Sequence, residues 1–274
     1  MPRPASFTRP GFPARPATWA LVAAAVLVQI VYPLIPDGTR TPITVLSVLV
    51  FAAASLADAV RTHGLRGGGV LLLVAGGGGL LAEAVGVHTG FPFGSYAYTG
   101  TLGPQLLGVP VVVPFAWVMM AWPALVVGRT LGRHGAAVAA LGGGALAGWD
   151  VFLDPQMVAA GHWRWELPDP GLPLVPGVPL TNYAGWVLVS LAIVTLLDRN
   201  LEPITGPSGP AAALYLWTYG SSVAAHLVFF GLPGSALVGG LLMGAFALPF
   251  AARLWRSRRA VRPWLPHRST TALP

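Results

Sequence analysis

The chain contains no cysteine and no lysine. The first absence excludes disulfides, thiolate metal centres and thiol catalysis. The second excludes a P-loop, which needs a lysine to grip phosphate. Charge of either sign is scarce: 9% of the 274 residues are charged, against about 25% in a soluble domain. Too little polar surface is left to cover a water-soluble fold of this length. What the chain does have is apolar: 54% of its residues are hydrophobic and the mean hydropathy is +0.67. Its abundant glycine and proline lie among the apolar runs. There, small residues let helices approach closely and proline marks ends and kinks. The composition is that of an all-α, polytopic membrane bundle.

Eight spans are expected, near 17–36, 42–60, 67–88, 108–128, 134–153, 181–198, 210–230 and 234–254. Each is close to the ~20 residues that cross the hydrocarbon core. The first resembles a signal peptide in place only. Its apolar run is too long, and Pro33 and Pro36 follow where a small-residue cleavage site would stand. All sixteen basic residues are arginine. With the N-terminus inside, fourteen of them fall in inner segments and only Arg40 and Arg164 in outer loops. That bias sets the orientation and, with an even span count, puts both termini in the cytoplasm. It also explains the net charge of +7 without nucleic acid, for which no motif is present. Three parts follow: a basic, poorly ordered tail over 1–16, one transmembrane domain over 17–254, and a basic tail over 255–274 suited to anionic headgroups. Gly144 with Gly148, and Gly240 with Gly244, have the spacing of close helix packing.

Two outer loops, Gly90–Trp117 and Gly148–Gly171, are long, aromatic and turn-rich. They have the character of a lid over a membrane cavity. The few acids point to the same layer. Five of the nine lie in loops or at their edges, and Asp58 is expected near water at the inner end of its span. Glu83, Asp150 and Asp154 remain in the outer part of the membrane, with His226 at similar depth and His88 and Asn182 at the boundary. An Asp at mid-bilayer costs at least ~2.5–3.5 kcal/mol, so such groups face one another or a wet cavity. Asp150 and Asp154 are four apart and share a helix face. Two carboxylates so placed do not both ionise readily, which sets a neutral acid beside an anionic base. Plainer roles stand beside these: Asp154 capping backbone or pairing with Arg164, Glu83 bonding to Tyr96 or Tyr98, His226 bonding a neighbouring helix. Trp163 and Trp165 fit an interfacial belt. Trp117, Trp149 and Trp186 lie next to the polar layer and suit a groove for a flat polyene.

The run EAVGVHTGFPFGSYAYTGTLGPQLLGVP, followed by PFAW, GWDVFLDPQMVAAGHWRW and GVPLTNYAGW, spans Glu83 to Trp186. This succession resembles the carotenoid 1,2-hydratase family of bacteria and haloarchaea, which takes in bisanhydrobacterioruberin hydratase and γ-carotene hydratase. The resemblance implies addition of water across the terminal C1–C2 double bond of an acyclic carotenoid, with no cofactor. A metal on His226, Glu83 and Asp150 is conceivable, but their spacing carries no metal signature and none is expected. The resemblance also implies a cell-membrane location. The implied partners are the carotenoid, water, lipid and other enzymes of the pathway.

Roles follow from the chemistry. Asp150 protonates C2, and Trp117, Trp149 or Trp186 stabilises the tertiary cation at C1 through its ring face. A water held by Glu83 or Asp154 then attacks C1; the order of acid and base is open. Tyr96, Tyr98, Asn182 and His226 complete the expected substrate-binding set. Two other readings compete. One is an intramembrane prenyltransferase holding magnesium on Asp150 and Asp154. The other is a carotenoid-binding or transport protein with a proton relay.

Overall fold

The computed structural model describes residues 15–203 and 206–260. The expected tails lie outside the described residues, apart from Arg15 and Pro16 at one end and 255–260 at the other. Among the described residues the chain is mostly helical. α1 (Arg15–Val31) is followed by α2 (Thr41–Leu71), a π-helical stretch (Leu72–Gly77) and α3 (Gly78–Thr89). The first long loop carries β1 (Tyr96–Tyr98), β2 (Gln105–Leu106) and β3 (Val109–Pro110). α4 (Val113–Leu131) and α5 (Gly135–Ala159) come next. The second loop carries β4 (Trp163–Trp165), β5 (Gly171–Leu172) and β6 (Val175–Pro179). Then come α6 (Leu180–Asn200), α7 (Gly209–Val228) and α8 (Pro233–Ala260).

Among the described residues, six helical segments are long and apolar enough to cross a membrane, against the eight separate spans expected. Two features account for the difference. Thr41–Thr89 is a single helical run of 49 residues, which would be far longer than the ~30 Å hydrocarbon core if straight. It is not straight. Gly64 leaves helical geometry at φ 72°, and a Cβ on Gly68 would lie 3.4 Å from Leu56, twelve residues earlier. The run therefore folds back as a helical hairpin at the expected 60/67 boundary. α7 is the second case, because Tyr, Trp, Thr, Ser and His dilute its apolar character.

α4 and α5 form the centre. α4 is buried without interruption from Trp117 to Gly128, as expected for a helix enclosed on every side. α5 admits its neighbours through glycines. A Cβ on Gly142 would meet Val194 of α6 at 2.8 Å and the Ala124 carbonyl of α4 at 3.0 Å. One on Gly148 would meet the Met243 backbone of α8 at 3.1 Å. The Gly144/Gly148 pair thus seats α8, as its spacing predicts.

Proline inside a helix frees the carbonyl four residues earlier. Pro155 lies within α5, which runs on to Ala159 rather than stopping at 153. The freed Val151 carbonyl accepts from Ser235 Oγ at 2.7 Å, so the helix continues without an orphaned acceptor. Pro123 in α4 shows the same arrangement: Ser55 Oγ donates to the Met119 carbonyl at 2.7 Å. Asp58 also departs from expectation. It is fully buried rather than close to water. Its carboxylate is taken by Arg61 at 2.8 Å, Trp122 Nε1 at 2.9 Å and Ser208 Oγ at 2.5 Å.

Ser55→Ala leaves the buried Met119 carbonyl without a donor and should cost about 1–3 kcal/mol. Adding Pro123→Ala restores the helical N–H and should return most of that loss. Unfolding in detergent of the two single variants and the double variant measures both effects.

Candidate active site

The two long loops meet as strands. β1 pairs antiparallel with β4 in the register Tyr96↔Trp165, Ala97↔Arg164 and Tyr98↔Trp163. Side chains alternate across such a ladder. Ala97 and Arg164 are exposed, while Tyr96, Trp163 and Trp165 are buried and Tyr98 is half-buried. Trp165 Nε1 donates to the Phe93 carbonyl at 2.9 Å, and Ser95 Oγ to Glu166 at 2.8 Å. The loops therefore form one roof with an aromatic underside. Trp163 and Trp165, expected in an interfacial belt, are each only 8% exposed and point into the protein. The ladder reverses the belt reading by turning both rings inward.

Beneath the roof, Glu83 of α3 is surrounded by donors. Its Oε2 accepts from Tyr96 OH at 2.5 Å and Tyr98 OH at 2.8 Å, and its Oε1 from Trp117 Nε1 at 3.2 Å. Burial, then the nearby Glu83 charge, push both phenols well above their ordinary range. They stay protonated and serve as donors. Gly79 makes this approach possible, since a Cβ there would lie 2.5 Å from the Trp117 ring. The bonds that a purely structural Glu83 would make are thus present, and they tie it to the roof.

Asp150 and Asp154 lie on one face of α5, and one side chain of α6 serves both. Asn182 Nδ2 donates to Asp150 Oδ2 at 2.9 Å and also to Asp154 Oδ2. Trp163 Nε1 reaches Asp154 Oδ1 at 3.1 Å. Asp154 is therefore held by Trp163 and Asn182. Asp150 is fully enclosed, and its Oδ1 has no protein partner.

A cavity with about 60 Å³ of room for water-sized molecules joins Glu83, Asp154 and Asn182. Its wall includes Glu83, Tyr96, Tyr98, Trp117, Asp154, Trp163, Trp165, Asn182 and Trp186. A buried water needs roughly 10–15 Å³ on this measure, so the space suits a few waters. Trp117 and Trp186 stack at 4.1 Å, and Trp149 meets Trp186 edge-on at 6.0 Å.

Three expected site residues are set back from the cavity wall. Asp150 sits behind Asp154, joined to it through Asn182, and Trp149 lies behind Trp186. His226 is fully buried elsewhere, beside Ser235 at 2.9 Å and Gln156 at 3.4 Å. Sequence reasoning missed Trp163 as a partner of Asp154; its signal was the Trp-Arg-Trp alternation. Among the described residues, no group of three His, Asp or Glu side chains is placed to hold a metal ion.

The roof also contains a titratable group. His162 bonds Thr101 Oγ1 through Nδ1 at 2.8 Å, and its carbonyl accepts from the Thr99 amide at 3.0 Å. Burial holds its imidazole below the ordinary value of 6.5. With the folded value lowered, the unfolded segment takes up the proton first. This contribution is complete above the ordinary value and is lost as pH falls from there toward the lowered one. Hydrogen exchange at Thr99, corrected for intrinsic rate, should show more opening at about pH 5.5 than at about pH 7.5. His162→Gln should remove that difference.

Residues 43–205 match the family described as "Carotenoid biosynthesis protein". The bisanhydrobacterioruberin hydratase of Haloarcula japonica is 39% identical over 127 residues, which cover 44% of this chain and 41% of that protein. The match thus spans less than half the length of this curated relative. No solved structure matches the chain. The matched region contains both loops, Glu83, the Asp150–Asp154 pair and Asn182. Because it covers more than half of the sequence, the chain belongs to the carotenoid biosynthesis protein family.

Proposed function

We propose that the protein hydrates the terminal C1–C2 double bond of an acyclic carotenoid end group. The observation that carries this reading is that Glu83 and Asp154 line one aromatic cavity of water-holding size. Water addition to an isolated alkene needs an acid, a base and a shelter for a tertiary cation, and these residues supply all three. The name of the Haloarcula relative agrees with it.

Asp150 and Asp154 act as one acid sharing a proton, with Asp154 the member that touches substrate. Asp154 transfers the proton to C2, and the π electrons of the C1–C2 bond form the new C–H bond. The positive charge at C1 lies against the Trp117 or Trp186 ring face, an attraction worth about 0.5–2 kcal/mol. Glu83 adds its negative charge. A cavity water forms the C–O bond at C1 and gives up a proton to Glu83, leaving a tertiary alcohol. Water carries that proton back to the aspartates. Tyr96, Tyr98 and Trp117 hold Glu83 in place, and Asn182 and Trp163 hold Asp154. Trp149 supports Trp186 from behind.

The helices are read as eight membrane passes, with the Gly64 hairpin as two and α7 as the seventh. The arginine bias puts both termini in the cytoplasm and the roof on the outer side of the cell membrane. Water then reaches the cavity from the roof and the polyene from the lipid. Magnesium-dependent prenyl transfer and passive carotenoid binding gain no observation of their own. Asp150 and Asp154 are buried and bridged by an amide rather than open to a diphosphate.

Expression in a lycopene-producing bacterium tests the reading. A product heavier by one water with unchanged polyene absorption is expected. γ-Carotene and bisanhydrobacterioruberin serve as further substrates if lycopene is refused, and refusal of all three would sink the reading. Asp154→Asn and Glu83→Gln should each lower turnover by about 100-fold or more, the usual worth of a general acid or base. Asp150→Asn should also abolish turnover while the protein is still made.

A further inference from the structure

His226 was expected against substrate, but it is fully buried and is not part of the cavity wall. Its contacts lead elsewhere. Its Nδ1 lies 2.9 Å from Ser235 Oγ. Ser235 Oγ in turn donates to the Val151 carbonyl at 2.7 Å, the acceptor freed by Pro155. Phe152 packs edge-on against the imidazole at 5.1 Å. Val151 and Phe152 are two of the three residues between Asp150 and Asp154. We propose that His226 is a positioning residue for the carboxylate pair: through Ser235 it holds the Val151 carbonyl and so fixes the turn of α5 that carries Asp150 and Asp154.

Hydrogen bookkeeping sharpens this. A serine hydroxyl has one hydrogen. A carbonyl accepts and never donates, so that hydrogen goes to Val151. Toward His226 the serine oxygen can then only accept, and Nδ1 must carry the ring proton. The Nε2 atom, 3.4 Å from the Gln156 carboxamide, becomes an acceptor. The N–H end of that amide is the one it can use, since the two ends interchange by rotation. His226 therefore grips α5 on both sides of Pro155, through residue 151 by way of Ser235 and through residue 156 directly. Without this grip the proline would leave the turn around the aspartates free to bend. A small displacement there moves Asp154 relative to Trp163, Asn182 and the cavity.

The test has two arms. The first does not depend on the reaction. Nitrogen-15 NMR of histidine-labelled protein in lipid discs should show His226, assigned by its loss in His226→Asn, as the neutral Nδ1–H tautomer at pH near 7. It should become a tautomer mixture in Ser235→Ala. A neutral Nε2–H ring or an imidazolium in the parent protein would overturn the proposal.

The second arm rests on the hydratase reading. Ser235→Ala, His226→Ala and His226→Gln should lower kcat on the order of 10- to 100-fold with KM little changed, as misplacement of a catalytic group does. His226→Asn, whose amide N–H replaces Nδ1–H, should keep most of the activity. The Ser235→Ala/His226→Ala double variant should be no worse than either single one, because one chain of contacts is broken only once. A raised KM at unchanged kcat in His226→Ala would mean that the ring touches substrate, and the positioning role would fall. If no acyclic carotenoid is hydrated at all, the hydratase reading fails, while the tautomer still decides the role of His226.

Discussion

Hydrocarbon offers no hydrogen bonds, and much of this structure follows from that constraint. A polar atom within the membrane must find its partner in the protein or cost several kcal/mol. Two prolines interrupt the central helices, and two serines from other helices complete the interrupted ladders. Asp58 is closed off by an arginine, an indole and a serine. Glu83 has two phenols and an indole. Asp150 and Asp154 share an amide. The same requirement that stabilises the bundle therefore orients these four carboxylates, although Asp150 Oδ1 is left without a protein partner. A site built this way is pre-organised by necessity.

Tryptophan serves this economy in two ways. The Trp117 indole N–H binds Glu83 while its ring stacks on Trp186. The Trp163 N–H binds Asp154 while its ring meets Tyr98. One residue thus steadies an anion with its edge and presents an apolar, electron-rich face to the cavity. That pairing of properties is what the proposed cationic step beside a carboxylate would use.

Much of this was legible in the sequence and some was not, for physical reasons. Hydropathy located nearly every helix because apolar length is a local property. The meeting of Glu83 and Asp154 at one cavity was foreshadowed by their span positions, and the i, i+4 relation of the two aspartates by helical geometry. Gly64 lay at the expected boundary, but a hairpin that keeps helical hydrogen bonding almost to its tip leaves no polar loop to read. The continuation of α5 past Pro155 was hidden because the compensating Ser235 lies 84 residues beyond Val151, whose carbonyl it serves. Trp163 and Trp165 were misread because an interfacial belt and the underside of a roof have the same composition. Only the pairing with Tyr96–Tyr98, about 65 residues earlier, tells them apart.

That pairing has a consequence for how the cavity is reached. A ladder of three residue pairs is too short to stand alone. It persists because the aromatic rings below it rest on one another and on the carboxylates. The space for water-sized molecules is about 60 Å³, so a larger guest would press on those rings. Moving them would weaken the support on which the ladder rests. On the proposed reading, admission of a guest and loosening of the ladder would therefore be coupled through the same rings.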